Sequence, residues 1–100
     1  MTIQSHSFMT DADKLAADRM NNPRATVRAI AQEVCEWTGH SLAAVMGPSR
    51  LAHDCRVREL VCYIAHRNGM STPQIGRALH RDHSSIVSAI QNERKRRGEA

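Results

Sequence analysis

Asp82-His83-Ser84-Ser85 is the run in this sequence best equipped for chemistry. A carboxylate, an imidazole and two hydroxyls are the groups of a nucleophilic hydrolase, and they are equally the groups that hydrogen-bond base edges. Helix geometry decides between the two. Adjacent residues on a helix point about 100° apart, so these four cannot align as nucleophile, base and orienting acid on one substrate atom. Catalysis is therefore not expected. The same splay suits the first turn of a helix lying in the major groove of duplex DNA, where short polar side chains face successive base edges. The free N–H groups and positive dipole end of such a helix also suit a phosphate.

A run of this kind works only if other elements hold it. Ser71-Thr72-Pro73-Gln74 reads as a helix start, with Ser71 as N-cap and Gln74 where a capping box wants Glu or Gln. The short helix it opens carries Ile75, Ala78 and Leu79 inward. His80 and Arg81 make a tight turn, Asp82 caps again, and a last helix runs to about Arg96 with Ile86, Val87, Ala89 and Ile90 inward. A short helix, a tight turn and a longer helix, preceded by another long helix, form a helix-turn-helix. That preceding helix extends from about Leu51 or Asp54 to Asn68 and bears Leu60, Val61, Ile64 and Ala65, with Gly69 closing it.

Upstream, Val27, Ile30, Ala31, Val34 and Trp37 form one stripe of an amphipathic helix over Pro23 to Thr38, with Asn22 as its cap and Gly39 as its stop. Ser41 caps a short helix bearing Leu42, Val45 and Met46, ended by Gly47-Pro48. Thr10 and Asp11 can cap a short helix through Met20, and residues 1–9 read as a mobile arm. The expected organisation is a mobile N-terminal arm over 1–22 and one helical domain over 23–97. No segment alternates with period two, so an all-α bundle is expected.

Composition agrees. One hundred residues suffice for one modest core, 41% of them are hydrophobic, and the aromatics are only Phe8, Trp37 and Tyr63. Lys14, Arg19, Arg24, Arg28 and Arg50 balance Asp11, Asp13, Asp18, Glu33 and Glu36 in the first half, so the net +4 lies wholly in residues 51–100. Arg outnumbers Lys twelve to two, and Arg is the better fork for phosphates and guanine edges. A basic half carrying a helical motif points to nucleic acid. The shortage of aromatics for base stacking disfavours single strands and RNA. The run Arg94-Lys95-Arg96-Arg97 is either a phosphate-tracking tail or a solubilising end. Cys35, Cys55 and Cys62 are odd in number without C-x-x-C spacing, which points to a reducing cytoplasm rather than a disulfide framework. No zinc spacing, membrane span or signal peptide is present, and neither metal nor cofactor is expected.

The second half resembles domain IV, the C-terminal DNA-binding domain of the bacterial chromosomal replication initiator DnaA, over about residues 30–93. Pro73-Gln74-Ile75-Gly76-Arg77-Ala78 is similar to that family's P-E-I-G-x-A-F, and Arg81-Asp82-His83-Ser84-Ser85-Ile86-Val87 to its R-D-H-T-T-V. Arg58-Glu59-Leu60-Val61-Cys62-Tyr63-Ile64-Ala65 resembles its R-Q-I-A-M-Y-L-A. The resemblance implies a small bundle of DnaA domain IV or Trp-repressor-like type. It places Asp82, His83 and Ser84 at base edges, and Arg81, Ser85 and Arg58 on phosphates. Ile75 and Gly76 would lie close to the DNA backbone, and Arg50 in the minor groove.

The departures are also informative. The family's G-G before R-D-H is reduced to His80, both threonines are serines, and the basic loop keeps one Arg. The consequence expected is a cognate site that differs from the replication-origin box or is read less strictly than it. These 100 residues hold no G-x-x-x-x-G-K-[ST] loop, so ATP-driven assembly is not expected of this chain alone. The function implied is sequence-specific binding of double-stranded DNA, as a transcriptional regulator in the cytoplasm and nucleoid. The competing reading is an adaptor whose helix over Pro23–Thr38, through Arg28, Glu33 and Glu36, docks on an RNA polymerase subunit, another regulatory protein or a second copy. A DNA-binding piece of a replication-initiator or transposase-like system is a third.

Overall fold

The computed structural model describes residues 25–99, and the expected arm over 1–22, with the Asn22-Pro23 helix start, lies outside them. Five helices follow in order: α1 Val27–Thr38, α2 Leu42–Met46, α3 Ala52–Arg67, α4 Thr72–Leu79 and α5 His83–Arg97. The described residues contain no strand, so the all-α expectation holds.

Local chemistry sets the boundaries. α1 starts at Val27 rather than Pro23, because Thr26 is the cap: its Oγ1 accepts from the Ala29 N–H at 3.0 Å. It ends at Gly39, whose φ of 76° is left-handed and whose N–H returns to the Cys35 carbonyl at 2.9 Å. Ser41 caps α2 through the Ala44 N–H. The capping box at α4 is complete: the Gln74 N–H reaches Ser71 Oγ at 3.3 Å, and the Ser71 N–H reaches Gln74 Oε1 at 2.9 Å.

The core lies where the stripes meet. Val27, Ile30, Ala31 and Val34 of α1 are buried against Val57, Leu60, Val61, Ile64 and Ala65 of α3, and Ile75 and Leu79 of α4 join Ile86 and Ile90 of α5. Each such aliphatic side chain taken fully out of water contributes ~1.5–3 kcal/mol. Trp37 packs only at the edge of this cluster, as do Val45's neighbours Leu42 and Met46. Two expectations change. Ala78 is exposed, and Val87 and Ala89 are half-buried rather than central. Eight residues of α4 wrap only two turns, so Ile75 and Leu79 at i and i+4 use its whole inner face.

An ionic seam welds α5 to α3. Glu93 is buried and accepts from Arg96 at 2.9 Å and from Arg97 Nε at 3.0 Å. Arg96 also donates to Glu59 of α3, as does Asn92. The Arg97 guanidinium lies 4.4 Å from the centre of the Tyr63 ring, a cation–π contact that extends the seam. Half of the basic run at the C-terminal end is thus structural, a third outcome beside tail and solubiliser; Arg94 and Lys95 remain exposed.

Cys62 is fully buried in this core, and desolvation pushes its thiol from an ordinary 9.0 up to about 12. The unfolded chain would release that proton near pH 9 while the folded chain keeps it. Stability is therefore fully present below pH 9 and falls as pH rises toward 12, by up to about 4 kcal/mol. Urea midpoints compared at pH 8 and pH 10.5 should drop for the parent chain, and by distinctly less for Cys62→Ala. Equal drops in both would show that the thiol is not the source.

Candidate nucleic-acid interface

The turn between α4 and α5 is built by a residue type that rarely fits it. His80 holds φ 57° and ψ 47°, and among the described residues it is the one non-glycine at positive φ. Its N–H caps α4 on the Arg77 and Gly76 carbonyls, and the Arg81 N–H follows onto Gly76 at 2.9 Å. A left-handed conformation costs an L-residue with a Cβ roughly 1–2 kcal/mol, partly offset by the greater unfolded-state freedom of glycine. His80→Gly is therefore expected to stabilise the fold by about 1 kcal/mol, seen as a higher melting temperature. A lower one would mean that the imidazole contributes more than its backbone costs.

Gly76 is what lets the turn close. A Cβ built there would lie 2.5 Å from the Arg81 carbonyl oxygen and 3.6 Å from the His83 nitrogen, both backbone atoms. For Ile75 and Gly76, expected near the DNA backbone, the structure shows this packing role. Ile75 has no exposed surface, its N–H is bonded to the Ser71 carbonyl, and Gly76 is buried against the turn. Together they set the angle of α5, and Gly76 also lines the concavity beside the turn.

Asp82, His83 and Ser84 stand together, exposed, at the start of α5. Asp82 occupies the N-cap position, yet its side chain makes no cap hydrogen bond, so the carboxylate is not consumed by its own helix. Beside these residues lies a concavity of about 650 Å³, lined by Pro73, Gly76, Arg77, His80, Arg81, Asp82 and His83. Sequence reasoning passed over Arg77, which is exposed on α4 and shares that wall with His83. It also passed over Ser88, Gln91 and Lys95, which with Ser84 form an exposed polar stripe opposite the buried Ile86, Ile90 and Glu93. The signal was available, since 84, 88, 91 and 95 repeat with helical period.

A second concavity of about 550 Å³ joins the turn to the loop after α2, and its wall includes Ser49, Arg50, Arg58, Arg81 and Ser85. Here the structure reassigns Arg58. It is 7% exposed, and it donates from Nε to the Val45 carbonyl at 2.8 Å and from Nη2 to those of Ala44, Gly47 and Ser49 at 3.0–3.3 Å. A short helix leaves its last carbonyls without intrahelical partners, and a guanidinium satisfies several at once. Arg58 is thus the brace of the basic loop rather than an outward phosphate clamp.

Arg81 works beside it, donating to the Leu79 carbonyl at 2.8 Å and to Gly47 at 2.7 Å. Burial, and then the charge of Arg58, push its guanidinium below its ordinary value. Arg81 is only half-buried and lines both concavities, so it ties loop to turn while keeping a face toward solvent. Ser49 completes the brace, donating to the buried Asp54 carboxylate at 2.7 Å and accepting from the Leu51 N–H. Arg50 projects from this fixed loop, exposed. Ser85 is exposed and lines the same concavity.

The arrangement is a polar, uncapped helix start, a basic loop locked to it through Gly47, and cations on both sides. Among the described residues no three His, Cys, Asp or Glu side chains gather as they would around a metal ion. No described helix is long and apolar enough to cross a membrane.

Comparison with known protein families matches the chain to the bacterial DnaA protein helix-turn-helix over residues 27–92. The match runs from the first residue of α1 into the middle of α5 and takes in both concavities. Neither the curated proteins nor the solved structures contain a match to this chain.

Proposed function

The chain belongs to the bacterial DnaA helix-turn-helix family, a DNA-binding family, and on that premise we propose that it reads double-stranded DNA sequence-specifically as a transcriptional regulator. The observation that carries this reading is the exposed start of α5, where Asp82 leaves its own helix uncapped and stands with His83 and Ser84 beside the concavity. Asp82 can accept from a cytosine amino group, and His83 and Ser84 can donate to or accept from neighbouring base edges. Arg81 and Ser85 approach phosphates on either side, and Arg50 enters the minor groove from the braced loop. With no cofactor invoked, binding draws on counterion release for affinity and on these base contacts for discrimination.

The adaptor reading has less to stand on. Arg28, Glu33 and Glu36 are exposed on α1, and among the described residues no large apolar side chain of that helix is exposed with them, whereas partner surfaces are anchored by buried aromatic or aliphatic groups.

Separate Asp82→Ala and His83→Ala variants test the base-reading roles. Each is expected to lose ~1–3 kcal/mol, roughly five- to 150-fold, on the preferred duplex. Binding to random duplex should hardly change. Equal losses on preferred and random duplexes would remove the base-reading role from that residue.

A further inference from the structure

Resting on the DNA-binding reading above, we infer that Leu51 is an apolar wedge that enters the minor groove beside Arg50 and unstacks one base step. Leu51 is 68% exposed, the one large apolar side chain so exposed among the described residues. A single exposed leucine is ordinary, but this one sits where it serves the fold least. It holds the N-cap position of α3 in extended backbone, without a side-chain cap bond, where Ser, Thr, Asp or Asn would bind a free N–H. The position thus forgoes a cap and leaves apolar surface in water. A local rule broken without local gain is the mark of a functional position.

Three features of the surroundings give the gain a direction. The stem of Leu51 is fixed, since its N–H is held by Ser49 Oγ, which is itself held by Asp54. The preceding residue is the exposed Arg50, and a cation beside an apolar tip is the pairing that suits the minor groove, with its strong negative potential and stacked base steps. Finally, the loop residues Gly47 to Arg50 share one concavity with His80, Arg81 and Ser85. The loop tip and the start of α5 therefore address the same duplex. An apolar wedge there would open a step, with a pyrimidine–purine step the easiest to unstack, and bend the DNA toward the major groove, where α5 lies.

The test uses the full chain with its selected duplex, carrying 2-aminopurine at successive positions under the loop and a donor–acceptor dye pair at the ends. The wild-type chain should raise 2-aminopurine fluorescence several-fold at one step and shorten the end-to-end distance. Leu51→Ser should abolish both signals and weaken the selected duplex about tenfold. Its melting temperature should be unchanged or higher, since serine is the better cap. Leu51→Phe should retain the unstacking signal. A stability gain joined to a binding loss is an outcome that a merely structural role for Leu51 does not give. If the wild-type chain binds the duplex without a fluorescence rise at any position, or if Leu51→Ser binds and bends it as the wild type does, the wedge is overturned. A wild-type chain that binds no duplex would instead bring down the DNA-binding reading, and the wedge with it.

Discussion

Arg58→Met should lower the stability of the folded chain by about 3 kcal/mol or more, a large part of the few kcal/mol that hold a small domain together. Methionine can fill much of the volume of the arginine stem but offers no N–H. The carbonyls of Ala44, Val45, Gly47 and Ser49 would lose their common donor, and each hydrogen bond from a charged group is worth ~1.5–3 kcal/mol. In a domain of this size each kcal/mol moves the melting temperature by roughly 4–8 °C, so a drop beyond 10 °C is expected in a thermal scan. A surface phosphate clamp behaves differently, leaving the melting temperature unchanged and lowering the salt slope of DNA binding by about one. That second pattern would return Arg58 to the phosphate contact that the family resemblance implies.

Gly76→Ala tests the turn. Helix propensity alone favours alanine by up to ~1 kcal/mol in a helix interior, so a neutral site would be stabilised. Here the new methyl meets the Arg81 carbonyl oxygen at 2.5 Å, and backbone cannot step aside as a flexible side chain can. Overpacking of this kind costs typically 1–3 kcal/mol or more, enough to reverse the propensity gain. The turn can relieve the clash only by opening the angle between α4 and α5, which would carry Asp82 and His83 away from the plane of Arg81 and the basic loop. The expected result is net destabilisation together with a loss of at least 100-fold in preference for the selected duplex over random DNA. A variant that melts higher than the parent and keeps its preference would show that the close approach at Gly76 has no consequence.

Much of the fold could be read from residue pattern because its signals are local. The stripe Val27, Ile30, Ala31, Val34 is buried as its period demands, and Ser71 with Gln74 forms the capping box that its spacing announces. The cap of the first described helix was not singled out: it is Thr26, whose hydroxyl accepts from the Ala29 N–H.

What escaped the sequence depends on partners distant in the chain. Arg58 sits among charged neighbours on α3, and nothing local says that its guanidinium turns inward to carbonyls 9 to 14 residues earlier. Glu93 continues the stripe of Ile86 and Ile90, but its burial makes sense only once α3 packs against α5 and Arg96 joins it to the distant Glu59. His80 could be recognised as a turn residue, while its left-handed backbone follows from the shortness of the connection between two packed helices. Among the candidate site residues, those at the start of α5 were legible because their polarity and exposure coincide. Arg77 was not, since only the folded chain places it on the wall beside His83.

The central claim is that this chain distinguishes one duplex sequence from others. Selection from a randomised duplex pool, followed by anisotropy titration of the enriched and starting pools at two salt concentrations, tests it most directly. The account predicts an enriched motif bound at least ~10³-fold tighter than the starting pool, within the usual range for specific binders, with a steep salt dependence shared by both. Equally weak, steeply salt-dependent binding to the two pools would contradict it, leaving a basic surface that attracts DNA without reading it.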